Sequence, residues 1–285
     1  MVTDSGRLSA RQLELMNSWL PGATVERDCS WGLIGTTVLQ VRGSDGAAYI
    51  VKAGDADDHH LARELAAHRQ WVDVWVCSGQ APRLVRADDE AKLIITEFLP
   101  GELVVGTSYE WALDTYWQAG QLLARFHGQY SVLDDGEFEM RQKESALAWL
   151  RRPHRIADDI VALLVDDIEK WPAPPSVVVP THGDWQPRNW LIDDDVVRVI
   201  DFGRADVRPP STDLARLAAQ QFRTMPALEA AFFEGYGTDP RQPDAWRRLR
   251  IHEAVGTAAW AYKVGEESFE QQGHRMIAEV LADQP

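Results

Sequence analysis

The chain has 285 residues, enough to bury a large core as one two-lobed unit or two small domains, and its 45% hydrophobic content excludes a disordered chain. Against 44 acidic residues stand 29 basic ones, a net charge of −15, so the basic footprint of a nucleic-acid-binding surface is missing. No window approaches eighteen uninterrupted apolar residues, and no membrane span is expected.

Along the chain, Ser9 is placed to cap a helix running to about Leu20, where Pro21-Gly22 stops it. Residues 24–52 read as β-structure, with Val38, Val41, Tyr49 and Val51 in short β-prone runs around the turn Gly43-Ser44-Asp45-Gly46. Asp57 and Asp58 precede a helix that presents Leu61, Leu65 and His68 on one face. An apolar strand, Leu93 to Phe98, ends in Leu99-Pro100-Gly101, the punctuation of a hinge. Helices dominate from there. Residues 109–128 carry Leu113, Trp117, Leu123 and Phe126 at helical spacing, and further helices are expected near 143–151, 155–170, 211–222, 226–236, 243–264 and 268–282. Pro172-Ala173-Pro174-Pro175 breaks the chain before a strand. The expected division is a β-rich lobe over residues 1–98 and a helical lobe with a small hairpin over 99–285, an α+β architecture.

Most of the chemistry is concentrated in Thr181-His182-Gly183-Asp184-Trp185-Gln186-Pro187-Arg188-Asn189 and in Val199-Ile200-Asp201-Phe202-Gly203. Asp184 and Asn189 are five residues apart, and Asp201 follows after two short apolar runs around an acidic turn. Phosphoryl transfer needs that order: a carboxylate near the attacking hydroxyl, an amide oxygen for Mg²⁺, and a second carboxylate between Mg²⁺ and the phosphates. Asp184 is therefore the candidate base, which orients the acceptor hydroxyl and takes its proton late, and Asn189 and Asp201 are the candidate metal ligands. Gln186 and Arg188 would flank the phosphates, with Arg188 either neutralising transferring charge or pairing with a nearby acid. Asp193-Asp194-Asp195 reads as a solvated hairpin tip, not a metal cluster. The twelve tryptophans are scattered, which suits packing better than an aromatic cage.

This pattern, H-x-D-x-x-x-x-N followed by D-F-G, resembles the aminoglycoside phosphotransferase and choline-kinase-like family of small-molecule kinases. The resemblance covers roughly residues 25–220. It implies a bilobal protein-kinase-like fold, ATP or GTP with Mg²⁺ as cofactors, and residues 1–98 as the nucleotide-binding lobe. Lys52, at the end of a strand, would hold the α- and β-phosphates, and Glu64, twelve residues on, would hold Lys52. Gly32, Gly35 and Thr36 would cover the phosphates, although only G-x-x-G of the glycine-rich pattern is present and an ordinary β-turn fits nearly as well. Glu97 and Leu99 would read the purine edge through their main chain. His182 would organise the catalytic loop. Asp213 would brace that loop, with Ser211 or Thr212 as alternative helix caps. Gly183 stands where most protein kinases carry Arg, so control by a phosphorylated activation loop is not expected. The helix near Asp213 resumes twelve residues after Asp201 and no A-P-E follows, which points to a small acceptor instead of a peptide.

The implied activity is transfer of a nucleotide γ-phosphate to a hydroxyl of a small molecule, foremost an antibiotic in resistance or self-protection. A metabolic acceptor such as choline, an amino alcohol, a sugar or a nucleoside-like compound is the alternative. A nucleotide-binding pseudokinase is disfavoured because Lys52, Asp184, Asn189 and Asp201 are all present. The acidic balance suits a cationic acceptor, though acidic enzymes are common. Cys29 and Cys77 are the only cysteines and form no disulfide framework. The first twenty residues hold Arg7, Arg11 and Glu14 without a continuous apolar run, so a cytoplasmic protein without a signal peptide is expected.

Overall fold

A computed structural model describes residues 7–30, 35–55 and 57–283. In chain order it contains α1 (Ala10–Trp19), β1 (Thr24–Asp28), β2 (Thr37–Arg42), β3 (Ala48–Ala53), α2 (His60–Gln70), α3 (Asp73–Val76), β4 (Leu84–Asp88) and β5 (Leu93–Glu97). There follow β6 (Glu102–Leu103), α4 (Leu113–His127), β7 (Val132–Asp134), α5 (Glu137–Leu150), α6 (Asp158–Glu169) and β8 (Ser176–Thr181). The rest comprises β9 (Trp190–Asp193), β10 (Val196–Val199), β11 (Asp206–Arg208), α7 (Ala215–Ala219), α8 (Gln221–Thr224), α9 (Pro226–Tyr236), α10 (Pro243–Val264) and α11 (Glu267–Ala282).

These elements form two compact units. The first takes in the described residues of Met1–Phe126 together with His182–Asp206 and Ala230–Tyr236. The second comprises His127–Thr181, Val207–Glu229 and the described residues of Gly237–Pro285. The division expected at residues 98 and 99 is a different cut. The catalytic-loop segment and its hairpin group with the first unit, which they contact through the β6–β9 pairing (Glu102 opposite Ile192) and through side chains such as Trp185 against Trp75.

The first unit is built on an antiparallel sheet of order β1-β2-β3-β5-β4. Strand β2 alternates as a half-buried strand does, and β5 is buried on both faces. Leu39, Val41, Val51, Ala53, Leu93 and Ile95 are buried with Met16 and Leu20 at α1. On the other face Ile94 packs with Leu61 and Leu65 of α2. Lys52 lies directly opposite Ile94 in the ladder, so the same alternation aims it at the α2 face. Ser9 closes a capping box with Gln12 at the start of α1, and the Gln12 amide also donates to the Gly54 and Ala91 carbonyls, tying the helix to the sheet ends.

The hairpin β9–β10 turns through Asp194 and Asp195, both with left-handed φ (48° and 61°), as a two-residue I′ turn requires. The Asp triplet is thus the hairpin tip that its turn chemistry suggested. Trp75, Trp185 and Trp190 are fully buried, and the Trp75 ring stacks on Phe126 and Trp185 at 4.2 and 5.7 Å. In the second unit α5, α6, α10 and α11 enclose a core of Leu150, Leu164, Ile168, Ile251, Val255 and Ile277. A buried, two-pronged Arg248–Glu139 pair at 2.7 and 2.8 Å joins α10 to α5. No helix among the described residues is long and apolar enough to cross a membrane.

Candidate active site

Three of the expected residues meet beside the sheet. The Lys52 ammonium lies 2.8 and 2.9 Å from the two oxygens of Glu64 and 3.2 Å from Asp201 Oδ1. Strand β3 supplies the lysine, α2 the glutamate, and the turn after β10 the aspartate. Burial disfavours the ammonium, but the charges of Asp201 and Glu64 outweigh it and raise the pKa of Lys52. Burial also pushes the Glu64 carboxyl up, opposed by Lys52. Lys52 holds the Asp201 carboxyl below its usual range, against partial burial and the charge of Asp184. The Asp201 side chain keeps half of its surface open to solvent, whereas Glu64 is closed off. The pair Lys52–Glu64 is therefore fixed, and Asp201 is the partner that can exchange the lysine for another cation.

Asp184 is buried and accepts from three side chains. The Gln186 amide donates to its Oδ1. Arg188 Nη2 and Asn189 Nδ2 donate to its Oδ2 at 2.7 and 2.9 Å. Of the two roles open to Arg188, pairing with a nearby acid is the one seen, and Gln186 shares that carboxylate. The Asn189 amide also donates to the Asp184 carbonyl at 2.8 Å. Both of these contacts need a donor, so the amide orientation is settled and Asn189 Oδ1 is left for a cation. His182 is fully buried, with Nε2 3.1 Å from the Ile200 carbonyl and Nδ1 accepting from the Asp184 amide. That pattern selects the Nε2–H tautomer and links the loop to the residue before Asp201. The Ile200 amide in turn donates to the Asn189 carbonyl at 3.0 Å.

The remaining expected residues are less concentrated. The Phe98 amide continues the ladder to the Ala48 carbonyl, and the Glu97 amide donates to the Arg83 carbonyl. The Glu97 side chain is exposed. The main chain of Leu99 makes no hydrogen bond to the other described residues. Thr36 donates its hydroxyl to Asp58, and Gly35 lies against the Asp55 carboxylate, while Gly32 falls outside the described residues. Asp213 is buried in a 3₁₀ turn of the second unit, 3.0 Å from His127 Nε2, and neither Ser211 nor Thr212 caps that turn. Asp58 and His60, whose contacts tie α2 to the rest of the site, escaped the sequence reading. Asp58 was visible only as a helix-start residue, because its partner Thr36 is twenty-two positions away.

The donor set available to a metal is one carboxylate and one amide oxygen, hard ligands that suit Mg²⁺ when phosphates and water complete the shell. Among the described residues no cluster of three His, Cys, Asp or Glu offers a rival site. The second unit also holds a cleft of about 490 Å³, lined by Phe222, Trp246 and Met276 and by Arg–carboxylate pairs such as Arg223–Glu279 and Arg250–Asp283.

Residues 28–252 match the sequence model of the phosphotransferase enzyme family, and the chain belongs to that family. Three solved structures show the kinase-like fold that it shares. The choline kinase LicA from Streptococcus pneumoniae is 15% identical, covers 93% of this chain and 97% of its own, and has a TM-score of 0.66. A thermostable mutant of the aminoglycoside phosphotransferase APH(4)-Ia is 14% identical, with coverage of 94% and 98% and a TM-score of 0.67. Spectinomycin phosphotransferase APH(9)-Ia, in complex with ADP and spectinomycin, is 16% identical, with coverage of 98% and 95% and a TM-score of 0.61. No curated protein matches the sequence. The protein is thus a small-molecule kinase with the α+β, protein-kinase-like architecture its motifs implied.

Proposed function

We propose that this kinase transfers the γ-phosphate of ATP or GTP to a hydroxyl of a small molecule, with an antibiotic as acceptor. The observation that carries the reading is the pairing of two clusters: Lys52 held by Glu64 beside Asp201, and the Asp184 carboxylate held by Gln186, Arg188 and Asn189. In a loose transition state the acceptor needs orientation more than early deprotonation. A carboxylate fixed by three donors supplies that orientation and accepts the proton late. Lys52 would hold the α- and β-phosphates, and the main chain of Glu97 and Leu99 would read the purine edge. Asn189 Oδ1 and Asp201 would hold Mg²⁺, which, when bound, offsets the charge on the phosphate oxygens. ADP in the spectinomycin kinase supports a nucleotide at this fold.

A metabolic acceptor is the second reading. Its support is a likeness to choline kinase (TM-score 0.66) close to the likeness to the aminoglycoside phosphotransferase (0.67). Fold similarity alone does not separate the two. A panel of aminoglycosides, spectinomycin, macrolides, choline, ethanolamine and nucleosides, each tested with ATP and with GTP for release of nucleoside diphosphate, decides between them. Turnover of an antibiotic and of none of the metabolites is expected. Efficient turnover of choline or ethanolamine alone would replace the antibiotic reading by the metabolic one.

A further inference from the structure

Helix α2 brings Glu64 to Lys52, and its first turn makes a further contact inside the site. The His60 Nδ1 lies 3.0 Å from the carbonyl oxygen of Gly203, the residue that closes the Asp201-Phe202-Gly203 turn. A carbonyl only accepts, so the ring presents Nδ1–H there. The approach is close: a Cβ on Gly203 would meet the His60 Cβ at 3.3 Å. The start of the helix is itself anchored. The Asp58 carboxylate accepts the His60 and Leu61 amides at 2.7 and 3.0 Å and also takes the Thr36 hydroxyl.

Asp201 needs such a tether. Its φ of 69° lies in the left-handed region, a strained conformation that a non-glycine residue keeps only when its surroundings enforce it. The turn is tied before Asp201 by the bond from the Ile200 amide to Asn189 and after it by the bond from His60 to Gly203. Between them Phe202 is fully buried, edge-on to His68 of the same helix at 5.1 Å.

We propose that His60 is a positioning residue for Asp201: its Nδ1–H holds the turn, so that one helix sets both the phosphate-binding lysine and the metal-binding carboxylate. This rests on the reading of Asp201 as a metal ligand. The test uses Mn²⁺ as a paramagnetic probe with ADP, on the full chain and its variants His60→Ala and His60→Asn. The Asn amide can place a donor where Nδ1 stands. In His60→Ala, affinity for ADP in EDTA should stay within about twofold, while Mn²⁺ affinity in the presence of ADP falls about three- to tenfold, the worth of one hydrogen bond. Amide exchange of residues 202–205 in the ligand-free protein should quicken by a similar factor. His60→Asn should restore both. Parent-like Mn²⁺ affinity in His60→Ala would overturn the proposal, as would a His60→Asn variant that behaves like His60→Ala. Asp201→Ala is the control. If it too leaves Mn²⁺ affinity unchanged, the metal reading of Asp201 fails, whereas a loss confined to Asp201→Ala counts against His60 alone.

Discussion

His68 sits one turn beyond Glu64 in α2, buried against Phe202, and its Nε2 finds no hydrogen-bond partner among the described residues. Burial, aided by the Lys52 charge, lowers its pKa from 6.5 to about 4. The unfolded chain therefore binds a proton between pH 6.5 and 4 that the folded chain refuses, and folding stability falls as the pH drops through that window. At pH 5 the penalty is about 2 kcal/mol relative to neutral pH. Replacing the imidazole by an apolar side chain removes this term. Denaturant titrations of the parent and His68→Leu at pH 7.5 and pH 5 should show the parent losing more stability on acidification by about that amount. Equal losses in the two proteins would mean that His68 is protonated in the fold or exposed. Asp184, His182 and Asn189 were legible in the sequence because their spacing alone sets the loop. The anchoring of Asp184 by Arg188 was one of two options until the geometry was known, since sequence spacing does not say which way an arginine turns.

Helices α4 and α9 meet through two glycines. A Cβ on Gly120 would fall on the Phe232 carbonyl, and one on Gly235 on the Trp117 carbonyl, backbone atoms that cannot move aside as a side chain can. Gly120→Ala should therefore destabilise the protein by about 1–3 kcal/mol despite the better helix propensity of alanine. A thermal melt checks this, and an unchanged or raised Tm would show that the helices part without cost. The long helices and the β2–β3 and β9–β10 hairpins were legible because their periodicity and turn residues are local signals. The four-residue α3 and the strands β4, β6 and β7 were not. β4 is a five-residue run interrupted by Arg86, and β6 and β7 have two and three residues, so each exists only through its pairing partner. Turn chemistry can mark a hairpin, but it carries no information about which distant strand an edge will join.

The whole molecule carries a net charge of −15, yet in the cleft of the second unit Glu229, Glu279 and Asp283 each have a guanidinium partner, Arg241 standing between Glu229 and Asp239. Global charge and local recognition are separate quantities, and ionic strength distinguishes them. A polycationic acceptor drawn by exposed carboxylates should show a KM that rises steeply with salt, because screening cuts attractions beyond about 8–10 Å. The nucleotide KM should change little. A flat acceptor KM would move the assignment to a neutral antibiotic or metabolite. The catalytic hairpin joins the first unit through contacts between residues far apart in the chain, such as Glu102 opposite Ile192 and Lys52 beside Asp201, which local sequence signals do not reveal. The role proposed for Asp184, to orient an acceptor hydroxyl beside the nucleotide and take its proton, is checked by Asp184→Asn. Nucleotide affinity by calorimetry and phosphoryl transfer at saturating acceptor are measured on the same preparation. The variant should keep nucleotide affinity within about twofold of the parent and transfer the phosphoryl group more slowly by about 10²–10⁴. Transfer at the parent rate with intact nucleotide binding would contradict it.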